Sequence, residues 1–306
     1  MRKVLLILVL ITLPMFAQNV TVVEDKPVTS LKEGRFYFPT ISPDGSSLLY
    51  TKDNYQGLWS RNLKTEKTIK VSNALSAGYE PSFDETSGEI IFREDQFIKG
   101  KRTTSLNSFN TSNKVKQVLE KGIRDLRICR SPQNIFQSYV NDTNAPVRIN
   151  KGMSVQTTVA QKTVYVDGNH ITVSDNSSKK ELQPMGEGNY IWVSLSPDKT
   201  KLLFTFAGKG TYVSDLDGNI LKVVGYANYP SWSADGNWIL FMKDLDDGVK
   251  VTSSNIYIVN YYSGKYYKLT SGENNIKLYP TWGTSNSEIF YNTDTGQIRE
   301  LLLRFE

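Results

Sequence analysis

The chain has 306 residues and is short of the side chains that carry most protein chemistry: it has one cysteine, Cys129, and one histidine, His170. A lone thiol excludes an internal disulfide, so stability has to come from packing. One cysteine and one histidine also fall short of a Cys/His metal centre, and no metal or cofactor is expected. A Ser-His-Asp relay would have to use His170, but no Gly-x-Ser-x-Gly elbow accompanies it. His170 follows Asp167-Gly168-Asn169, the composition of a hairpin tip, and Cys129 ends the apolar segment Leu126–Cys129 as a small buried hydrophobe. Charge is nearly balanced, with 36 Lys and Arg against 31 Asp and Glu, a net of +5 dispersed along the chain. That excludes a concentrated nucleic-acid footprint. Past residue 17 no apolar run approaches the ~20 residues that cross a bilayer.

The N-terminus carries the one sustained apolar stretch. Arg2 and Lys3 precede Val4–Leu13, and Pro14-Met15-Phe16-Ala17 leads into polar Gln18. A basic start, a short apolar run and a small residue at the cut predict a secretory signal over 1–17, cleaved after Ala17. The mature chain, 18–306, is then expected in the periplasm or outside the cell, with no transmembrane segment after cleavage. Cleavage removes two of the positive charges.

What the chain has in abundance is one sentence written several times. Phe38-Pro39-Thr40-Ile41-Ser42-Pro43-Asp44-Gly45 returns as Tyr229-Pro230-Ser231-Trp232-Ser233-Ala234-Asp235-Gly236 and as Tyr279-Pro280-Thr281-Trp282-Gly283. Tyr79-Glu80-Pro81-Ser82-Phe83-Asp84 and Trp192-Val193-Ser194-Leu195-Ser196-Pro197-Asp198 are variants, and Arg130-Ser131-Pro132-Gln133 is a degenerate one. A unit of roughly 40–50 residues repeated in this way means an array of equivalent modules. After each anchor comes a short apolar run, such as Leu48-Leu49-Tyr50, Leu202-Leu203-Phe204 or Ile239-Leu240-Phe241, which reads as a strand buried on both faces. A polar turn and a strictly alternating segment close each unit: Ile69-Lys70-Val71, Leu221-Lys222-Val223, Tyr267-Lys268-Leu269. The central lysine predicts an outer strand with one wet face.

Each unit is therefore a four-stranded antiparallel sheet, and sheets of this size repeated around an axis make a propeller. The fold class is all-β, a six-bladed β-propeller of four-stranded blades. The longer stretch between the third and fourth anchors finishes one blade with an insertion, or hides a seventh blade. Val20–Thr29 is expected to pair with the final blade and close the ring, removing an open edge.

These anchors resemble the TolB-like (PD40, WD40-like repeat) β-propeller family, whose repeats carry Pro-x-Trp-Ser-Pro-Asp-Gly. The resemblance covers essentially the whole mature chain. TolB itself carries a further α/β domain ahead of its propeller, and no such domain is expected here, since only about twenty residues separate the predicted signal from the first anchor. The resemblance implies an envelope-associated propeller that binds another protein or peptide over its axial face.

The candidate binding residues lie just before each anchor proline or its equivalent: Arg35, Tyr37, Tyr79, Glu80, Arg124, Asp125, Tyr190, Asn228, Tyr229 and Tyr279. Tyrosine and arginine dominate interface hot spots, although tyrosine serves equally well as packing between blades. Asp244-Leu245-Asp246-Asp247-Gly248 is an acidic loop without the calcium-loop pattern, and Lys243 and Lys250 flank it. Asp44, Asp198 and Asp235 recur with the repeat and are expected to cap its turn. The expected function is non-catalytic binding. The alternative is a glycan-active hydrolase or lyase using carboxylates in the axial pocket.

Overall fold

A computed structural model describes residues 19–306, apart from 85–86, 124–125, 131–134, 141–145, 148–161, 176–177 and 273–275; side chains of 127–150 are likewise outside the description. The predicted signal segment and the candidates Arg124 and Asp125 therefore lie outside the described residues, as does the side chain of Cys129. Among the described residues no helix is long and apolar enough to cross a membrane.

The chain forms six antiparallel sheets, the blades of a propeller. The chain opens with β1 (Val20–Pro27). Blade 1 is β2 (Tyr37–Ile41), β3 (Ser47–Thr51), β4 (Leu58–Asn62) and β5 (Thr68–Ser72). Blade 2 is β6 (Ser82–Phe83), β7 (Ile90–Ile98), β8 (Lys101–Asn110) and β9 (Val115–Ile123). Blade 3 holds β10 (Leu126–Arg130), β11 (Ile135–Val140), β12 (Pro146–Val147), β13 (Thr163–Asp167), β14 (His170–Ser174) and β15 (Lys179–Leu182). Its order is β12-β11-β10-β13-β14-β15, so β11 and β12 are an insertion added at the β10 side of the usual four. Blade 4 is β16 (Tyr190–Leu195), β17 (Lys201–Phe206), β18 (Gly210–Asp215) and β19 (Ile220–Gly225). Blade 5 is β20 (Asn228–Trp232), β21 (Trp238–Asp246), β22 (Val251–Asn260) and β23 (Tyr266–Lys268). Blade 6 is β24 (Lys277–Trp282), β25 (Glu288–Thr293) and β26 (Ile298–Phe305), with β1 as its outermost strand. The stretch that left a seventh blade open is thus an elaborated third one.

Pairing of β1 with β26, from Val20↔Phe305 to Pro27↔Arg299, closes the ring with the two ends of the described chain. The Tyr291 hydroxyl donates to both Asp25 carboxylate oxygens at 2.9 and 3.0 Å, and Arg299 Nε donates to Asp25 Oδ1 at 2.8 Å. Burial, with the Asp25 carboxylate beside it, pushes the Tyr291 phenol well above its ordinary range.

The uninterrupted apolar runs have a simple cause: a middle strand is covered on both faces. In β21, Leu240 faces the core shared with blade 6, while its neighbours Ile239 and Phe241 face the core shared with blade 4. In β3, Leu48 packs toward blade 6 and Leu49 toward blade 2. The apolar interior is thus divided among blade junctions, and burial of each large side chain contributes about 1.5–3 kcal/mol.

One outer strand departs from its expected register. Lys70 and Lys268 are exposed, but Lys222 is half-buried, donating to the Tyr261 carbonyl, while Leu221 and Val223 face solvent. Lys222 pairs with Val213 and Val223 with Tyr212, whereas Lys70 and Lys268 pair with Trp59 and Tyr257, so the blade 4 lysine sits one residue earlier in its strand. A one-residue slip in a period-2 strand exchanges its faces. Burial lowers the Lys222 proton affinity, and its ammonium lies 5.3 Å from the Tyr261 ring centre.

Candidate functional site

In blades 1, 4 and 5 the first strand runs into the same tight turn. There Ser42 Oγ donates to Asp44 Oδ1 at 2.6 Å and accepts the Ser47 amide at 2.9 Å. Ser196 with Asp198 (2.5 Å) and Lys201 (2.9 Å), and Ser233 with Asp235 (2.6 Å) and Trp238 (2.9 Å), repeat it. The recurring aspartates therefore cap turns, as expected. The Ser42 hydroxyl and the Ser46 amide hold Asp44 below the usual carboxylate range. Burial opposes ionisation of Asp198, but hydrogen bonds from Lys201, Ser196 and Thr200 outweigh it and hold that group far lower.

The other end of the same strands is built quite differently. Phe38, Glu80, Trp192, Tyr229 and Tyr279 stand one residue before Pro39, Pro81, Val193, Pro230 and Pro280, all buried. All five have positive φ, at 55°, 47°, 51°, 54° and 52° respectively. For bulky residues this is an outlier costing on the order of 1–3 kcal/mol each. In four of the blades it coincides with a bulge in the first strand: Tyr37/Thr40, Ile191/Ser194, Asn228/Ser231 and Leu278/Thr281. In blades 1 and 6 the extra residue is held by the preceding blade. Asn292 Oδ1 accepts the Phe38 amide at 3.0 Å, and Met242 Sδ accepts the Tyr279 amide at 3.4 Å.

The bulges bring the rings together. Trp192 meets Tyr229 edge-on at 6.2 Å between centroids, and Tyr229 meets Tyr279 at 5.4 Å. Tyr279 meets Phe38 at 4.1 Å, Phe38 meets Tyr55 at 4.5 Å, and Tyr55 meets Tyr79 at 4.9 Å. This half-buried aromatic belt crosses from blade 4 through blades 5, 6 and 1 to the entry of blade 2. Burial, together with the nearby Tyr279, Tyr79 and Glu80, pushes the Tyr55 phenol up to about 12. Burial and then Asp244 raise Tyr279. Both hydroxyls therefore stay protonated, and available as donors, at any physiological pH.

Polar groups frame the belt at both ends. Asn228 Nδ2 donates to Asp244 Oδ1 at 2.6 Å and to the Tyr226 hydroxyl at 3.2 Å. On the other side the Arg93 guanidinium lies 5.5 Å from the Tyr79 ring centre and pairs with Asp95 at 3.3 Å. Asp95 also accepts from Thr104 at 2.6 Å and Ser76 at 2.8 Å. Burial works against the Asp95 charge, but these donors and Arg93 leave its carboxyl below the ordinary range.

Of the sequence candidates, Tyr79, Glu80, Tyr229 and Tyr279 fall on this belt or beside it, and Asn228 braces it. Arg35 is exposed and Tyr37 half-buried. They crowd against Gly296, where a Cβ would come within 2.8 Å of the Arg35 Cα, and the Tyr37 hydroxyl donates to the Asp294 carbonyl at 3.4 Å. Tyr190 does not reach the surface. It is 2% exposed, its ring packs on Phe204 and Phe206, and its hydroxyl donates to the Gly186 carbonyl at 2.8 Å. Its place in the belt is taken by Trp192. Phe38 and Trp192 occupy the repeat position of Tyr229 and Tyr279, so alignment of the whole anchors would have found them. Tyr55 sits on the β3–β4 connection, in a short 3-10 turn (Asp53–Tyr55) that no other connection among the described residues contains, and no sequence signal marks it.

No family model and no curated protein matches this chain. Among solved structures, the Cps50 (Swd1) β-propeller domain of Myceliophteria thermophila aligns with a TM-score of 0.61 at 8% identity, over 93% of this chain and 99% of that one. The chain has a β-propeller fold. An oligogalacturonate lyase from Vibrio parahaemolyticus aligns at 0.48 and 11% identity, over 93% and 96%. TolB from Acinetobacter baumannii aligns at 0.45 and 14%, over 89% of this chain and 64% of that one. At such identities the likeness is one of fold and decides no activity.

Proposed function

We propose that this chain is an exported, non-catalytic binding module that takes a protein or peptide of the cell envelope on its axial face. The observation that carries the proposal is the aromatic belt. Strain is retained at equivalent positions in blade after blade, and its result is a continuous row of half-buried rings. Backbone outliers of this kind persist where the surrounding structure enforces them, and they cluster at ligand-binding sites. Half-exposed tyrosine and tryptophan supply large contact area at low entropic cost, with a polar tip that can reach a partner's backbone.

Export rests on Arg2, Lys3, the apolar Val4–Leu13 and Ala17. The non-catalytic part of the reading rests on chemistry. A carboxylate enzyme needs an acid held protonated facing a second one across the pocket. Among the described residues the carboxyl raised from its usual range is Glu288, pushed up by burial, and it stands at the far end of β25 from the belt.

The test is partner capture from an envelope extract by wild type, Tyr229→Ala and Tyr279→Ala, with melting curves confirming that each variant is folded. Loss of the same partner from both variants supports the axial face as the site. Retention of every partner by both overturns it.

A further inference from the structure

Two blades differ from the rest on the belt face. The hairpin between second and third strands emerges there in every blade, because the second strand ends beside the start of the first. In blade 4 that hairpin turns directly after Phe206, which pairs with Tyr190. In blade 2, β7 runs on through Ile98, and in blade 5, β21 runs on through Asp246. Aligned on the anchor, these strands reach three to four residues past the position of Phe206, roughly 10–13 Å at strand rise. Successive blades are neighbours and the ring is closed, so blades 2 and 5 stand opposite each other. The two tall hairpins face one another across the belt.

Their tips carry opposite charge. Blade 2 presents exposed Lys99, Lys101 and Arg102 beside Phe97, which is 63% exposed. Blade 5 presents Asp246 and Asp247, with Lys250 as partial offset, beside Leu245 and Val249 at 68% and 92% exposed. The Asp246 and Asp247 carboxylates accept the tip's own amides from Gly248, Val249 and Lys250 at 2.9–3.0 Å, so the tip is a formed turn.

We infer that the two hairpins are the walls of a charge-polarised cleft, and that its occupant is an extended segment of a partner protein. That segment has an acidic stretch lying on the blade 2 hairpin, a basic stretch on the blade 5 hairpin and an apolar or aromatic residue between them on the belt. The inference rests on the axial-face reading above and adds the chemistry and orientation of the occupant. Opposed charges at a rim steer encounter and fix register more than they add contact energy. The belt supplies the anchor and the hairpins set which way the segment lies.

The probe is a synthetic peptide with a glutamate block at one end, a lysine block at the other and a glycine-flanked tryptophan between them. Its binding is followed by fluorescence anisotropy at low ionic strength. Reversing one hairpin, by Lys99→Glu with Lys101→Glu and Arg102→Glu or by Asp246→Lys with Asp247→Lys, should weaken binding about ten-fold. Reversing both should restore it, because the peptide then lies the other way round. Wild-type binding should also weaken as salt shortens the screening length to about 8 Å at physiological strength.

Single reversals that leave binding unchanged, or a double reversal that fails to restore it, overturn the inference. If Tyr229→Ala nevertheless loses the peptide, the axial-face reading survives; if neither set matters, both fall. Sedimentation without peptide tests a second copy of this chain as occupant. A dimer of wild type that single reversals dissociate and the double reversal restores would replace the peptide.

Discussion

The two ends of each blade's first strand obey opposite rules. At the turn end, the serine and aspartate of three blades make the same hydrogen bonds within about a tenth of an ångström, and the backbone pairing across the turn recurs in five: Ser42–Ser47, Asp84–Glu89, Ser196–Lys201, Ser233–Trp238 and Gly283–Glu288. At the belt end the recurring feature is strain, and the side chains differ: Phe38, Glu80, Trp192, Tyr229, Tyr279. The turn repeats because it stabilises; the belt varies because each ring meets different neighbours. In a repeat protein, uniformity marks scaffold and departures mark the working surface.

The largest expected effect tests the scaffold end, because it acts on three turns together. Asp44, Asp198 and Asp235 all have carboxyls below their ordinary value of 3.8 in the folded chain. Hydrogen bonds from Ser42 and Ser46 are the chief cause for Asp44. For Asp235 burial acts the other way, and bonds from Ser233 and Asn237 outweigh it. A lowered folded value means stability that is complete above the unfolded value and is lost as pH falls through the folded one. Acid unfolding below about pH 4 should therefore flatten in a triple Asp→Asn variant, followed by circular dichroism, while partner binding at neutral pH persists. An unchanged acid limb would mean that the turns are not the acid-labile part.

Next in size is Ser233→Ala. It leaves the Trp238 amide without its side-chain acceptor in a buried setting and should cost about 1–3 kcal/mol by chemical denaturation. Equal losses of stability and of partner affinity would erase the distinction between the two ends.

At the belt, Tyr229→Gly should be more stable than Tyr229→Ala by about 1 kcal/mol, since only glycine takes a positive φ without cost. Both should lose the partner. A glycine variant no more stable than the alanine one would show that the belt backbone is unstrained.

Smallest is Lys199→Gly. Lys199 has φ 58° where blades 1 and 5 place Gly45 and Gly236 at 70° and 72°. Relief of that strain, less the entropy glycine adds to the unfolded chain, should raise stability by about 0.5 kcal/mol with no change in binding.

Much of the fold was legible because blade geometry is written locally and then repeated. The Ser-x-Asp anchors, the apolar triplets and the turn glycines each point to the same sheet. The Lys222 register was not legible, because the face that β19 covers is decided by which β18 residues it pairs with rather than by alternation within β19. Of the candidate site, Tyr79, Tyr229 and Tyr279 were visible from their position before the anchor. Tyr190 was misplaced to the surface because a tyrosine suits both a core and a rim, and only the bulge after Ile191 decides that Trp192 faces out in its stead. Tyr55 joins the belt because the β3–β4 connection takes its own conformation, with positive φ at Asn54 and Tyr55, which no repeat could announce.

By itself, then, the amino-acid sequence determined the module and the turns that cap it, because each depends on contacts within some fifty residues of chain. The tertiary structure alone decided which rings become neighbours and which two hairpins face each other. Those relations join blades far apart in sequence, and they exist only once the ring has closed on β1.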